Sequence, residues 1–276
     1  MRDTFIFENH LGRRFVGPDK GVYLNINELR NYSWSYDVIN NRISRFYRAV
    51  TSRKLPLLVC CSTVDEAHQV RNELLEYAEA DIEAMLPGKV YVGDYYTTGY
   101  ITASKKSDYV LSGRFCRIEL TLTSVNPAWS REKTHVFGGP ADGAGSSRSG
   151  FDYPYDYAYD YSVTATSRQI VVDTVKGNNF KLRIYGPVMN PAVMINGHSY
   201  KVNGDIKAGE SLLIDSLNKT ITLTTALGTK ANWFANRDRE NYIFELIPPG
   251  LSTVMYNGAF KFDLIIVEER SEPRWT

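Results

Sequence analysis

The side chains best suited to metal binding or nucleophilic chemistry here are four histidines and three cysteines. His10, His68, His135 and His198 are scattered, with no His-x-x-x-His pair to set two imidazoles on one helix face. Cys60 and Cys61 adjoin in an apolar run and Cys116 stands alone. That odd count fits neither a disulfide framework nor a zinc site, so the thiols read as small buried hydrophobes. No nucleophile elbow occurs; Gly145-Ser146-Ser147 lies in a flexible run. Gly228-Thr229-Lys230 lacks the upstream glycine of a phosphate-binding loop. Asp152, Asp156 and Asp160 recur every four residues, too far apart along a strand to share one calcium ion, and no closing Glu follows at the required spacing. They read as acidic gatekeepers on an aromatic strand. A glycosidase carboxylate pair could come from distant strands, so spacing alone leaves it open. It ranks last: no metal, no cofactor and no catalytic residue is expected.

The residues that do stand out form a contact face. Tyr153, Tyr155, Tyr157, Tyr159 and Tyr161 alternate with Pro154, Asp156, Ala158 and Asp160. In an extended strand every ring then stands on one side. Two readings fit such a face: a strand packed between domains or subunits, where tyrosine combines an apolar body with a polar tip, or a platform that stacks on sugar rings.

The elements that must position these residues follow from composition and period. A length of 276 residues with 43% hydrophobic content supports about two domains, each with its own core. The run from Gly138 to Gly150 is rich in glycine and serine and has no hydrophobic period, so it reads as the joint. A formal net charge of +1 gives no whole-protein field toward nucleic acid or an anionic membrane. The apolar run after Met1 is too short for a signal peptide, and nowhere are there the ~20 apolar residues of a membrane span, so neither secretion by that route nor membrane insertion is expected.

In the first half, Leu55 to Cys61 predicts a strand and Thr63 with Glu66 a capping box. Ala67, Val70, Leu74, Tyr77, Ala78, Ile82 and Met85 then make one apolar helical stripe, ended by Pro87-Gly88. Asp65, Glu73, Glu76, Glu79 and Glu83 make the solvated face. Lys89–Val92, the turn Gly93-Asp94 and Tyr95–Ala103 predict a type II′ hairpin. Arg114 to Val125 predicts a long strand with Cys116, Ile118, Leu120 and Leu122 inward and Arg117, Glu119, Thr121 and Thr123 outward. Tyr32 to Tyr36 suggests one more strand.

The second half reads as strands and turns. Phe180, Leu182 and Ile184 alternate, Asn196-Gly197 predicts a type I′ turn, and Ile221 and Leu223 stand among threonines. Phe260, Phe262, Leu264 and Ile266 share a face, and Glu268, Glu269, Arg270, Glu272, Arg274 and Trp275 are expected to cap that last strand. Short strands at this spacing predict a sandwich.

Ordered motifs then carry a resemblance. The second half reads Ile184-Tyr185-Gly186-Pro187, Asn190-Pro191-Ala192-Val193-Met194-Ile195-Asn196-Gly197, Ala208-Gly209-Glu210, Ile214-Asp215-Ser216, Asn232-Trp233-Phe234, Ile247-Pro248-Pro249-Gly250 and Glu268 through Thr276. With Pro87-Gly88-Lys89-Val90-Tyr91-Val92-Gly93-Asp94 in the first half, this resembles the distal tail protein (Dit) family of long, non-contractile-tailed phages and prophages of Gram-positive bacteria. The resemblance implies a mainly β chain: a tail-tube-like β-barrel or sandwich with one packed helix over 1–137, a linker over 138–150, and a galectin-like β-sandwich over 151–276. It implies a structural role as a hexameric hub joining the tail tube to the tail tip or baseplate, with a central channel through which DNA passes without sequence recognition. Its partners would be further copies of itself, a tail-tube protein, a tail-associated hub or tip protein and a receptor-binding protein. Its location would be the virion tail tip, after synthesis and assembly in the host cytoplasm. Gly93, Asp94, Arg117 and Glu119 mark the hairpin and strands expected between subunits, and the tyrosine ladder the contact with a neighbouring domain or partner. The competing reading is a carbohydrate-binding host-adsorption module.

Overall fold

The computed structural model describes residues 4–25, 27–110, 113–138 and 166–275; the tyrosine ladder and nearly all of the glycine- and serine-rich run lie outside them. The chain divides into two compact units, residues 1–131 with 269–276 and residues 132–268. These limits differ from a break at 138–150, because the division falls inside a strand whose composition does not change there.

The strands of the first unit are β1 (Ile6–Glu8), β2 (Arg14–Val16), β3 (Val22–Leu24), β4 (Ser35–Ile39), β5 (Arg42–Tyr47), β6 (Thr51–Cys60), β7 (Gly88–Val92), β8 (Tyr95–Val110), β9 (Phe115–Ser124) and the start of β10 (Trp129–Phe137). The one α-helix among the described residues, α1 (Val64–Glu83), joins β6 to β7. Two antiparallel runs, β2-β1-β7-β8 and β3-β6-β9-β8, share the long β8: Tyr95–Gly99 pairs with β7 and Tyr100–Val110 with β9. Both contribute to one core that includes Phe7, Val90, Leu57 and Leu120. Period-two patterning explains it. Leu55, Leu57 and Val59 of β6 face Cys116, Ile118, Leu120 and Leu122 of β9, each at most 2% exposed.

The capping box at the start of α1 forms as expected, Thr63 Oγ1 accepting from the Glu66 N–H while Glu66 accepts from the Thr63 N–H. Ala67, Val70, Leu74 and Ala78 are buried. The end of the helix differs from expectation. It stops at Glu83, Met85 makes the left-handed turn at φ 54°, and Gly88 opens β7 instead of capping the helix. Ile82 and Met85 are exposed, and the buried residue of that turn is Asp81. Tyr32–Tyr36 is also corrected: only from Ser35 does the chain find a partner strand.

The second unit continues β10 and adds β11 (Thr166–Val172), β12 (Asn179–Tyr185), β13 (Val188–Met189), β14 (Ala192–Ile195), β15 (His198–Lys201), β16 (Asp205–Ile206), β17 (Ser211–Asp215), β18 (Thr220–Thr224), β19 (Lys230–Asn232), β20 (Gly250–Tyr256) and most of β21 (Lys261–Arg270). One sheet orders β19-β18-β17-β12-β21 and the other β11-β20-β14-β15. Their inner faces share a core, with Phe180, Leu182, Ile184, Phe262 and Leu264 from the first sheet and Ile170, Val193, Val254 and Tyr256 from the second. This is a β-sandwich. Asn196 (φ 52°) and Gly197 (φ 83°) are both left-handed, as a type I′ turn requires. Glu268, Glu269 and Arg270 do not cap β21 but lie within it, Glu268 only 2% exposed.

Candidate functional site: an exposed amphipathic hairpin

β4 and β5 form a two-stranded sheet of their own, paired with no other described strand. The turn is Asn40-Asn41, with φ of 49° and 60°, the left-handed pair that Asn tolerates and a type I′ hairpin needs. Pairs run Tyr36↔Phe46 and Asp37↔Arg45, then shift by one residue to Val38↔Ile43 and Ile39↔Arg42. Ser44 is the extra residue, and its hydroxyl donates to the Asp37 carbonyl at 3.1 Å. The bulge has a consequence for patterning. In an unbroken register Ile43 and Phe46, three apart, would face opposite sides; the inserted residue returns both to the side of Tyr36 and Val38. One face is therefore apolar, while the other carries Asp37, Arg42 and Arg45 together with the exposed Ile39. That apolar face is not buried on this chain: Tyr36 is 57% exposed, Val38 57%, Ile43 53% and Phe46 59%. Tyr36 and Phe46 meet edge to face at 6.3 Å. A lone two-stranded ribbon is marginal in water, and a contiguous exposed apolar face marks a contact surface.

The base of the ribbon is fixed from several directions. Trp129 Nε1 donates to the Leu29 carbonyl at 3.2 Å, and Arg53 Nη2 to the Pro127 carbonyl at 3.1 Å. The Arg48 guanidinium lies 4.7 Å from the Trp34 ring centre and 3.9 Å from Glu269, and Arg30 lies 4.1 Å from the Trp275 ring centre. A cavity of about 290 Å³ lies there, lined by Tyr32, Trp34, Arg48, Arg53 and Ser271 among others. Arg53 takes an inward position in the alternation of β6, and burial lowers its guanidinium from its ordinary value.

A second concave surface of the same unit runs between α1 and β8–β9. It encloses about 220 Å³ and is lined by Leu74, Leu75, Ala78, Ile82, Ile101 and Ile118, with Arg71, Glu79 and Lys106 also at its walls. Leu75 and Ile82 remain 46% and 42% exposed. From Tyr100 onward β8 pairs with β9 alone, and its other edge has no partner strand among the described residues.

The expected contact residues are placed apart. Gly93 (φ 57°) and Asp94 form the exposed tip between β7 and β8, with only the first central residue left-handed, as in a type II′ turn. Arg117 and Glu119 share the outer face of β9 and pair with Asp108 at 3.2 Å and Lys54 at 3.3 Å. Because β9 lies between β6 and β8, both its edges are occupied, so any contact there is through side chains. Tyr153, Tyr155, Tyr157, Tyr159 and Tyr161 fall outside the described residues. The hairpin at 35–47 was missed from sequence, although Asn40-Asn41 between Tyr36/Val38 and Ile43/Phe46 is its signal.

The dispersed polar groups serve the fold. His10 Nδ1 lies 2.7 Å from Oδ1 of the fully buried Asp81, which also accepts from the His10 backbone N–H at 2.7 Å. Cys60, Cys61 and Cys116 are free thiols, and burial holds those of Cys60 and Cys61 above their ordinary value. Among the described residues no group of His, Cys, Asp or Glu could hold a metal ion, and no helix is long and apolar enough to cross a membrane.

No protein-family model and no curated protein matches the chain. Solved structures do. The SPP1 Dit protein, described as a paradigm of the hub adsorption apparatus in phages infecting Gram-positive bacteria, aligns over 96% of this chain and 99% of its own, with TM-score 0.56 and 9% identity. A chain of the phage P2 baseplate in its activated conformation with Ca aligns over 99% of this chain and 100% of its own, with TM-score 0.62 and 12% identity. The same baseplate with Sr gives equal values. At such identities the likeness is one of fold, and it runs through both units: the chain has a Dit-like, mainly β fold over nearly its whole length.

Proposed function

We propose that the protein is a structural subunit of a phage tail hub, a hexameric ring that joins the tail tube to the tail tip or baseplate and leaves a central channel for DNA. The observation that carries this reading is the end-to-end likeness to the SPP1 Dit hub protein, both units included. The amphipathic hairpin supports it, since a ring needs one surface of a subunit to meet a different surface of the next. The open edge of β8 beyond Gly99 offers a further place for strand addition. In this reading the first unit forms the ring, and the sandwich is taken as galectin-like. The partners are a tail-tube protein, a tail-associated hub or tip protein and a receptor-binding protein, and the protein works in the virion tail tip after assembly in the host cytoplasm. A net charge of +1 suits a channel, because a strongly basic lumen would hold phosphates and slow transit.

A second reading, carbohydrate binding during host adsorption, draws on the sandwich surface. There Tyr242 is 56% and Phe234 37% exposed, both beside Phe244. Electron microscopy of the purified chain, with light scattering over a concentration series, tests the first reading. Rings with a central channel are expected; monomer at every concentration together with binding on a glycan array would replace it with the second.

A further inference from the structure

We propose that the cavity beside Arg53 is a phosphate-binding site, which takes a phosphate monoester with its anionic group on the guanidinium of that residue. The site is independent of the hub reading and goes beyond it.

Arg53 is the observation that carries the proposal. It takes an inward position of β6 and is only 2% exposed. Its Nε donates to the Asn31 carbonyl at 3.4 Å and its Nη2 to the Pro127 carbonyl at 3.1 Å, while Nη1 is buried with no partner among the described residues. Both acceptors are neutral, so the charge itself is uncompensated. An arginine keeps its proton inside a protein, and a buried charge is costly until an opposite charge meets it. Burial alone shifts this guanidinium, with no carboxylate opposing it. The nearby acids are engaged elsewhere: Glu28 accepts from the Lys54 backbone N–H at 2.9 Å, and Glu269 lies 3.9 Å from Arg48. Arg53 is the charge left over, and a cavity adjoins it.

That cavity of about 290 Å³ is walled by residues of the first unit only. Arg48 supplies a second guanidinium to its wall, 4.7 Å from the Trp34 ring centre. Ser33 and Ser271 bring hydroxyls, and Tyr32 and Trp34 bring rings. The donors favour phosphate over carboxylate. A planar carboxylate is matched best by two parallel N–H groups of one guanidinium, and on Arg53 both Nε and Nη2 are already in use. A tetrahedral phosphate accepts single donors from several sides, which Arg53 Nη1, Arg48 and the two hydroxyls can supply. The room beyond the anion is faced by rings and hydroxyls, surroundings that suit a sugar or polyol.

Isothermal titration calorimetry on the full chain, at constant ionic strength and in phosphate-free buffer, tests the site. The probes are glucose 1-phosphate, inorganic phosphate, glucose and acetate. Both phosphates are expected to bind saturably, one per chain, at concentrations where glucose and acetate do not. Arg53→Met should weaken phosphate binding by about tenfold or more, the loss of one charge-assisted hydrogen bond. Arg48→Gln, a change at the cavity wall outside the core, should weaken it in the same direction and carries the test if Arg53→Met does not fold. Glucose 1-phosphate binding more tightly than phosphate would assign the cavity to the esterified form; equal binding would overturn the monoester in favour of the free ion. Acetate binding as tightly as phosphate would overturn the choice of anion. No saturable binding of either phosphate would mean that water alone serves Nη1, and undiminished binding by both variants would place the phosphate elsewhere; either result overturns the proposal.

Discussion

Replacing Gly88 by Ala should destabilise the first unit far more than an Ala at a strand normally does. A Cβ on Gly88 would stand 2.3 Å from Asp81 Oδ2, 2.6 Å from Cε2 of Phe7 and 2.9 Å from the Glu8 carbonyl. None of these can step aside cheaply. Asp81 is fully buried and held by His10, Phe7 is fully buried, and the Glu8 carbonyl belongs to the β1–β7 ladder. Overpacking of this kind costs about 1–3 kcal/mol. Displacing the carboxylate from its hydrogen bonds adds about 1–3 kcal/mol, because the buried groups it serves are left without partners. The sum is roughly 2–6 kcal/mol, which for a unit of this size lowers the melting temperature by roughly 4–24 °C. Thermal unfolding followed by circular dichroism measures it, with Gly93→Ala as control. That glycine has φ 57° but nothing within 4 Å of its added Cβ, so only the left-handed cost of about 1–2 kcal/mol applies. A Gly88→Ala protein no less stable than Gly93→Ala would refute the close-approach argument. It would also undo the account of how α1 is pinned beside β7, on which the shape of the concave surface between α1 and β8–β9 depends.

Acid should weaken the second unit through His135. Burial first, then Lys133 and Arg168, hold its imidazole below the ordinary value, so the folded state binds fewer protons than the unfolded one. The stability it contributes is complete above about pH 6.5 and falls as the pH drops through the folded value. Urea midpoints compared between about pH 7.5 and about pH 5 should shift less in His135→Gln than in wild type, and equal shifts would exclude this residue as the cause. A fragment of residues 132–268 should fold alone as a cooperative monomer, because its two sheets close one core. A fragment starting at residue 151 lacks Phe137, which stacks on Phe262 at 4.6 Å, and should be less stable by about 3–5 kcal/mol. Equal melting of the two by circular dichroism would show that Phe137 is dispensable.

Local chemistry was readable wherever a short stretch decides its own conformation. The capping box at Thr63 and Glu66, the left-handed turns at Gly93 and at Asn196-Gly197, and the alternation of Cys116 to Leu122 and of Phe180 to Ile184 each depend on residues within a few positions of one another, and each forms as read. The ordered motifs further pointed to a Dit-like fold, and the solved neighbours bear that fold out.

Tertiary structure decided what depends on partners distant in sequence. That Asp81 is buried follows from His10, seventy-one residues earlier, and from a glycine that admits its carboxylate. The division inside β10 and the return of residues 269–276 to the first unit leave no compositional trace, since a strand that changes partners keeps the same alternation. The hairpin is the clearest case. Tyr36, Val38, Ile43 and Phe46 share one face, and only the fold shows that this face is left exposed. Periodicity tells which residues share a face; only the packed chain tells whether that face has been covered or is left for another molecule.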